Sequence, residues 1–159
     1  MRKAIRRSPL LALAISAVFA GTALATAASG FHPTILSRGS ISEHVDVDNH
    51  AVDFEAKVPL DVVTATATFD APGSSGWHAH PGMVLVTVVS GSLVVYDSTC
   101  HATVQATGST FVESGRKAGL VRNESTTTPA VVNVTYIVPT GTPNSGLRID
   151  KPNPGCPQS

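Results

Sequence analysis

Between Val62 and Phe69 the chain alternates with a period of two: Val63, Ala65, Ala67 and Phe69 interleave with Thr64, Thr66 and Thr68. That pattern sends one set to each face of a β-strand, and the small apolar residues suit a tightly packed sheet-on-sheet core. Further β-branched runs follow at Val84–Val89, Ser92–Tyr96, Thr103–Val112 (broken at Gly108), Leu120–Asn123 and Val131–Val138. Gly, Pro, Ser or Asp punctuates each of them. No long segment has helical periodicity, and there is no internal repeat or low-complexity block. Short strands separated by turn signals predict an all-β sandwich or barrel.

Upstream, residues 26–59 read as an N-terminal arm with edge strands. Ile35-Leu36 opens a strand that Arg38-Gly39-Ser40 ends, and Val52–Val58 forms another. Residues 60–139 hold the barrel strands. Residues 140–159 are Pro- and Gly-rich and predict a tail coiled over the barrel.

Residues 1–25 fall outside the fold reading. Arg2, Lys3, Arg6 and Arg7 form a positive start, Leu10–Ala20 an apolar core, and Ala23-Leu24-Ala25 a small-x-small cleavage site. The three parts together predict a signal peptide, with Ala27 as the alternative cleavage point. The apolar run is shorter than the roughly 20 residues that a membrane span needs. The expected protein is therefore secreted, periplasmic or on the cell surface, with no transmembrane span once the signal is removed. Four of the 11 basic residues lie in this segment, so the remainder carries seven against 11 acidic residues, a net charge of −4 (7 − 11). No basic face survives, which argues against a nucleic-acid partner. About 134 residues (159 − 25) suffice for one domain. Cys100 and Cys156 are the only cysteines, and an even pair in an exported chain predicts one disulfide.

Candidate chemistry concentrates in Gly76–Gly91, GWHAHPGMVLVTVVSG. His78 and His80 are one residue apart, so in an extended segment both imidazoles face one side. Such a pair is half of a transition-metal site, since imidazole suits Zn, Cu, Fe and Ni. His44, Asp46, Asp48 and His50 also alternate, but an acidic, solvated edge is the plainer reading there. Glu113 shares a face with Phe111; it either ends its strand in water or reaches inward as a substitute acid, and the first is the ordinary outcome.

GWHAHPG, followed by a hairpin glycine, resembles the first motif of the cupin superfamily, and Gly108–Asn123, GSTFVESGRKAGLVRN, has the frame of the second. The likeness spans roughly Val62 to Pro139 and is similar to small secreted bacterial cupins. It implies a cupin-like double-stranded β-helix, a jelly-roll barrel, with a homodimer as a modest expectation. It also implies four metal ligands, and two of these ligand positions, with one proline position, depart from the pattern. The glutamate position falls on Val84 or Leu85, the third histidine position on Gly119, and the motif's proline on Ser114. His78 and His80 alone would hold a divalent Mn, Fe, Ni or Zn ion only weakly.

Three functions follow as expectations. The leading one is a small-molecule binder whose barrel pocket is lined by Val84, Val86, Val88, Gly119, Val121 and Asn123, with metal binding doubtful. Losing an anionic ligand and an imidazole opens volume and lowers polarity, as ordinary ligand pockets require. The alternatives are a metal-dependent enzyme of dioxygenase, isomerase or decarboxylase type using His78 and His80, and a structural or interaction protein of the cell surface. Whether the chain is an enzyme stays open at this point, and no catalytic residue is assigned.

Overall fold

The computed structural model describes residues 25–157, so the predicted signal segment lies outside the described residues but for Ala25. The described chain forms twelve strands and one turn of 3₁₀ helix, Asn144–Gly146. No helix among the described residues is long and apolar enough to cross a membrane.

β1 (Ser29–Ile41) lies along β4 (Leu60–Ser74) as an edge strand, paired from Phe31↔Phe69 to Ile41↔Leu60 with a shift of register between Ile35 and Ser37. It runs further than its own sequence predicts, because a long antiparallel partner outweighs the local weakness of Pro33 and Gly39. Proline is tolerated there since β1 has a neighbour on one side only. β2 (Val45–Asp48) and β3 (Asp53–Ala56) form a separate exposed hairpin.

β4 organises the barrel. Its lower part pairs with β11 (Ala130–Pro139) from Leu60 to Phe69, and its upper part with β10 (Leu120–Asn123) at Gly73 and Ser74. β6 (Met83–Ser90) follows β11, and β9 (Thr110–Glu113) follows β6. On the other side β10 pairs with β7 (Ser92–Tyr96), and β7 with β8 (Ala102–Ala106). Every pairing is antiparallel, and the path curls into a nearly closed barrel of the cupin-like jelly-roll kind.

The alternation predicted for β4 is observed. Val63, Ala65, Ala67 and Phe69 are buried, facing Val84, Val86 and Val88 of β6 and Val132, Val134 and Tyr136 of β11. A second apolar cluster gathers Trp77, Tyr96, Leu120 and Cys156 beside the barrel. Cys100 and Cys156 are joined in a disulfide with a Cα–Cα distance of 5.4 Å, as expected. It fastens the tail to the loop after β7.

Candidate metal centre

His78 lies on β5, the short strand His78–Ala79, and His80 directly follows it; neighbouring segments hold this stretch from both edges. On one edge His78 N–H donates to Gly119 O at 2.9 Å and Gly119 N–H to His78 O at 2.8 Å; His80 N–H donates to Gly115 O at 2.9 Å. On the other, β12 (Ile149–Asp150) pairs Ile149 with Ala79 and Asp150 with His78. Pro81-Gly82 ends β5, and Gly82 is required where the chain passes β11: a Cβ there would lie 2.0 Å from Ile137 O. Alternation turns His78 and His80 into the barrel and packs Trp77 and Ala79 on the opposite side, all of them buried.

Each imidazole is oriented by a backbone carbonyl. His78 Nδ1 donates to Gly76 O at 2.9 Å and lies 3.3 Å from Ser75 Oγ. His80 Nδ1 donates to Leu147 O at 2.6 Å. A carbonyl only accepts, so both Nδ1 atoms carry the proton and both Nε2 atoms are left to face the cavity. Such a bond on the far nitrogen is the support that metal-binding histidines ordinarily have.

Both Nε2 atoms meet Glu113. His80 Nε2 is 3.0 Å from Glu113 Oε2, and His78 Nε2 is 3.7 Å from Glu113 Oε1. Glu113 therefore points inward, against the ordinary expectation of a solvated strand end. The cause is register. β9 pairs with β6 so that Glu113 lies directly opposite Val84. Residues opposite each other share a face, and Val84 is completely buried. An acid thus enters from the next strand, opposite Val84, which is one of the two positions, Val84 or Leu85, where the cupin resemblance would put a glutamate. Gly119 lies beside this acid: a Cβ there would stand in ordinary contact, 3.7 Å from Glu113 Oε1. His78, His80 and Glu113 can hold a metal ion: one ligand atom from each lies within 4.8 Å of the others. No other group of three such side chains converges among the described residues, so the stretch His44–His50 forms no comparable cluster.

The trio separates two spaces. The inner cavity is about 30 Å³, counted as space open to the centre of a water. At the ~10–15 Å³ each water centre needs, it admits roughly two water-sized groups. Phe31, Phe69, Phe111, Val132 and Val134 make it largely apolar, while Tyr136 and Arg148 add polar groups. On the other side a wider vestibule of about 180 Å³ is bordered by Asp97, Thr99, Ser114, Lys117 and Gly119.

The residues predicted to line a pocket are dispersed. Val86 and Val121 border the inner cavity, and Gly119 borders the vestibule. Val84 and Val88 are fully buried in the core. Asn123 is buried too, and its side-chain amide donates to Asp70 O and Thr128 O, both at 2.8 Å, which fastens β10 to the turns beside it.

Burial pulls the His78 imidazole below its ordinary value, and the charge of Glu113 opposes that pull. Burial pushes Glu113 up, but the His80 hydrogen bond and the two imidazoles outweigh it and hold the carboxyl low. The Tyr136 phenol is pushed up to about 12 by burial and by Glu113. At neutral pH Glu113 is an anion, and Tyr136 keeps its proton.

A cupin-like barrel carrying an inward-facing His-His-Glu cluster is the class that fold and site define. No protein-family model matches the chain, and no curated protein matches it in sequence. Among solved structures, an oxalate oxidase is 25% identical over 50% of this chain and 46% of its own, with a TM-score of 0.42. The chain thus spans less than half the length of the oxalate oxidases it matches. A cupin domain from Bordetella pertussis Tohama I is 19% identical over 68% of this chain and 93% of its own, with a TM-score of 0.47. A cupin-like protein from Thermotoga maritima is 14% identical over 58% and 65%, with a TM-score of 0.48.

Proposed function

We propose that this chain is an exported metal-binding cupin that takes a small molecule at a centre made by His78, His80 and Glu113. One observation carries the reading: two imidazoles, each with Nδ1 committed to a carbonyl, present Nε2 to an inward-facing carboxylate. Two histidines and one carboxylate with open positions are a donor set for divalent Fe, and the same donors serve catalytic Zn. A bound divalent ion would supply Lewis acidity, or redox chemistry if the ion is Fe or Mn. The chain's own part is to orient the ligands, supply one negative charge and limit what enters. Loading needs Nε2 of both imidazoles and the Glu113 carboxylate free of protons, so affinity falls as pH is lowered.

The inner cavity favours a compact ligand, and its apolar wall keeps water scarce around it. Tyr136, neutral at working pH, faces the same space and can offer a hydrogen bond. Export is supported by the signal-like start and is compatible with the disulfide. Cobalt titration of the purified protein, followed by visible absorption, tests the reading. Saturation at one equivalent, with bands that shift on adding azide, is expected. A response that does not saturate, or one unchanged by His78→Ala with His80→Ala, contradicts it; the trio is then a hydrogen-bonded core element.

A further inference from the structure

The wall of the site that no barrel strand provides is built by the chain after β11. Leu147 O accepts from His80 Nδ1, while the Leu147 side chain is buried in the main core at 3% exposure. The next residue, Arg148, lines the inner cavity and bonds to the carbonyl of Ser75, the residue whose hydroxyl touches His78 Nδ1. Ile149 and Asp150 pair with the histidine strand, and Lys151 N–H donates to Trp77 O at 2.9 Å. Five consecutive residues, 147–151, thus supply one whole edge of β5.

That segment is fastened just beyond. Asn153 Oδ1 accepts from Gly155 N–H and Cys156 N–H, a tight turn that delivers Cys156 to Cys100. Cys100 in turn follows Asp97 and Thr99, which border the outer vestibule. One covalent bond therefore ties the segment that orients His80 to the loop at the mouth of the site.

We propose that residues 147–156 are a positioning element of the metal centre, and that the Cys100–Cys156 disulfide sets the centre's affinity by holding the Leu147 carbonyl against His80. The proposal rests on the metal-binding reading above. Its physical basis is that a histidine ligand is fixed in tautomer and orientation by the partner of its far nitrogen, and losing such a partner costs about 10–100-fold in metal affinity. Without the disulfide the segment keeps its bonds to β5 but gains freedom at its end. His80 then divides between tautomers, and only one of them offers Nε2.

The test uses the full mature protein and three variants: Cys100→Ser with Cys156→Ser, Leu147→Ala and Leu147→Met. Nitrogen NMR of His80 reads the tautomer in the metal-free state, calorimetric titration with Zn²⁺ reads affinity, and near-UV circular dichroism reads the fold. The disulfide-free and Leu147→Ala variants should keep the fold, lose affinity by about 10–100-fold and show a mixed tautomer. Leu147→Met, which keeps an apolar anchor of similar size, should restore both. Unchanged tautomer and affinity in the first two variants overturn the proposal. If the disulfide-free variant does not fold, Leu147→Ala and Leu147→Met decide. If the parent takes up no zinc, the metal reading fails, and the tautomer comparison still judges the positioning claim.

Discussion

Two stretches of this chain place histidines at intervals that suit a strand face, one with acids between them and one without, and only the second gathers a cluster that can hold a metal ion. In the β2–β3 hairpin, Asp46 and Asp48 lie on an exposed two-stranded ribbon between His44 and His50, with nothing packed over them. In β5, His78 and His80 are walled by Gly115–Gly119, by 147–151 and by the barrel core. Each imidazole there has its outer nitrogen satisfied, and an acid arrives from a third element. Alternation brings candidate ligands to one side. It does not fix their rotamers, remove their water or deliver a ligand from elsewhere in the chain.

The contrast can be broken most strongly at the support of β5. Trp77→Ala removes a fully buried aromatic next to His78 and should cost about 3–5 kcal/mol in denaturant unfolding. Val47→Ala in the exposed hairpin should stay within about 0.5 kcal/mol; comparable losses at both positions would dissolve the distinction. Next comes the disulfide. Closing a loop of 56 residues is worth up to about 4 kcal/mol on the chain-entropy account. Reduction should therefore lower the melting temperature by several degrees, and an unchanged melting curve would mean that the tail is not held by it.

Ligand replacement sharpens the contrast further. Glu113→Gln keeps shape and removes charge, and zinc affinity should fall by more than ~100-fold, beyond the usual loss for a supporting residue. Asp48→Asn should leave it unchanged. The smallest effect concerns acid stability of the metal-free protein. His78 is held below its ordinary value of 6.5, so between its folded value and 6.5 the unfolded chain binds more protons. Stability is then full above pH 6.5 and declines as pH falls below it. His78→Asn should flatten the upper part of that decline in melting temperature against pH. Glu113, also lowered, contributes at lower pH: its share is present above its ordinary 4.5 and is lost as pH falls through its folded value.

Much of the barrel was legible because it is written in period two. The alternation of β4, the inward set Val84, Val86 and Val88, and the strand Val131–Val138 all follow from residues next to one another in sequence. The site was only half legible for the same reason. Phe111 and Glu113 visibly share a face, but whether that face looks inward depends on the pairing of β9 with β6, which sequence parity leaves open. Val84-Leu85, apolar where the cupin resemblance would put a glutamate, is a signal that could have found the acid, since it invites a search of the other strands. Leu147 leaves no such mark, because its contribution is a backbone carbonyl that any residue would carry. Asn123 misleads in the opposite direction: a polar residue at a motif position is here a brace for the turns.

Whether His78, His80 and Glu113 form a metal centre is read directly by elemental mass spectrometry of the untagged protein as isolated. Close to one equivalent of a divalent transition metal per chain is expected, lost in Glu113→Gln and kept in Asp48→Asn. A parent that holds no metal, even after incubation with Mn, Fe, Ni and Zn, would contradict the metal reading.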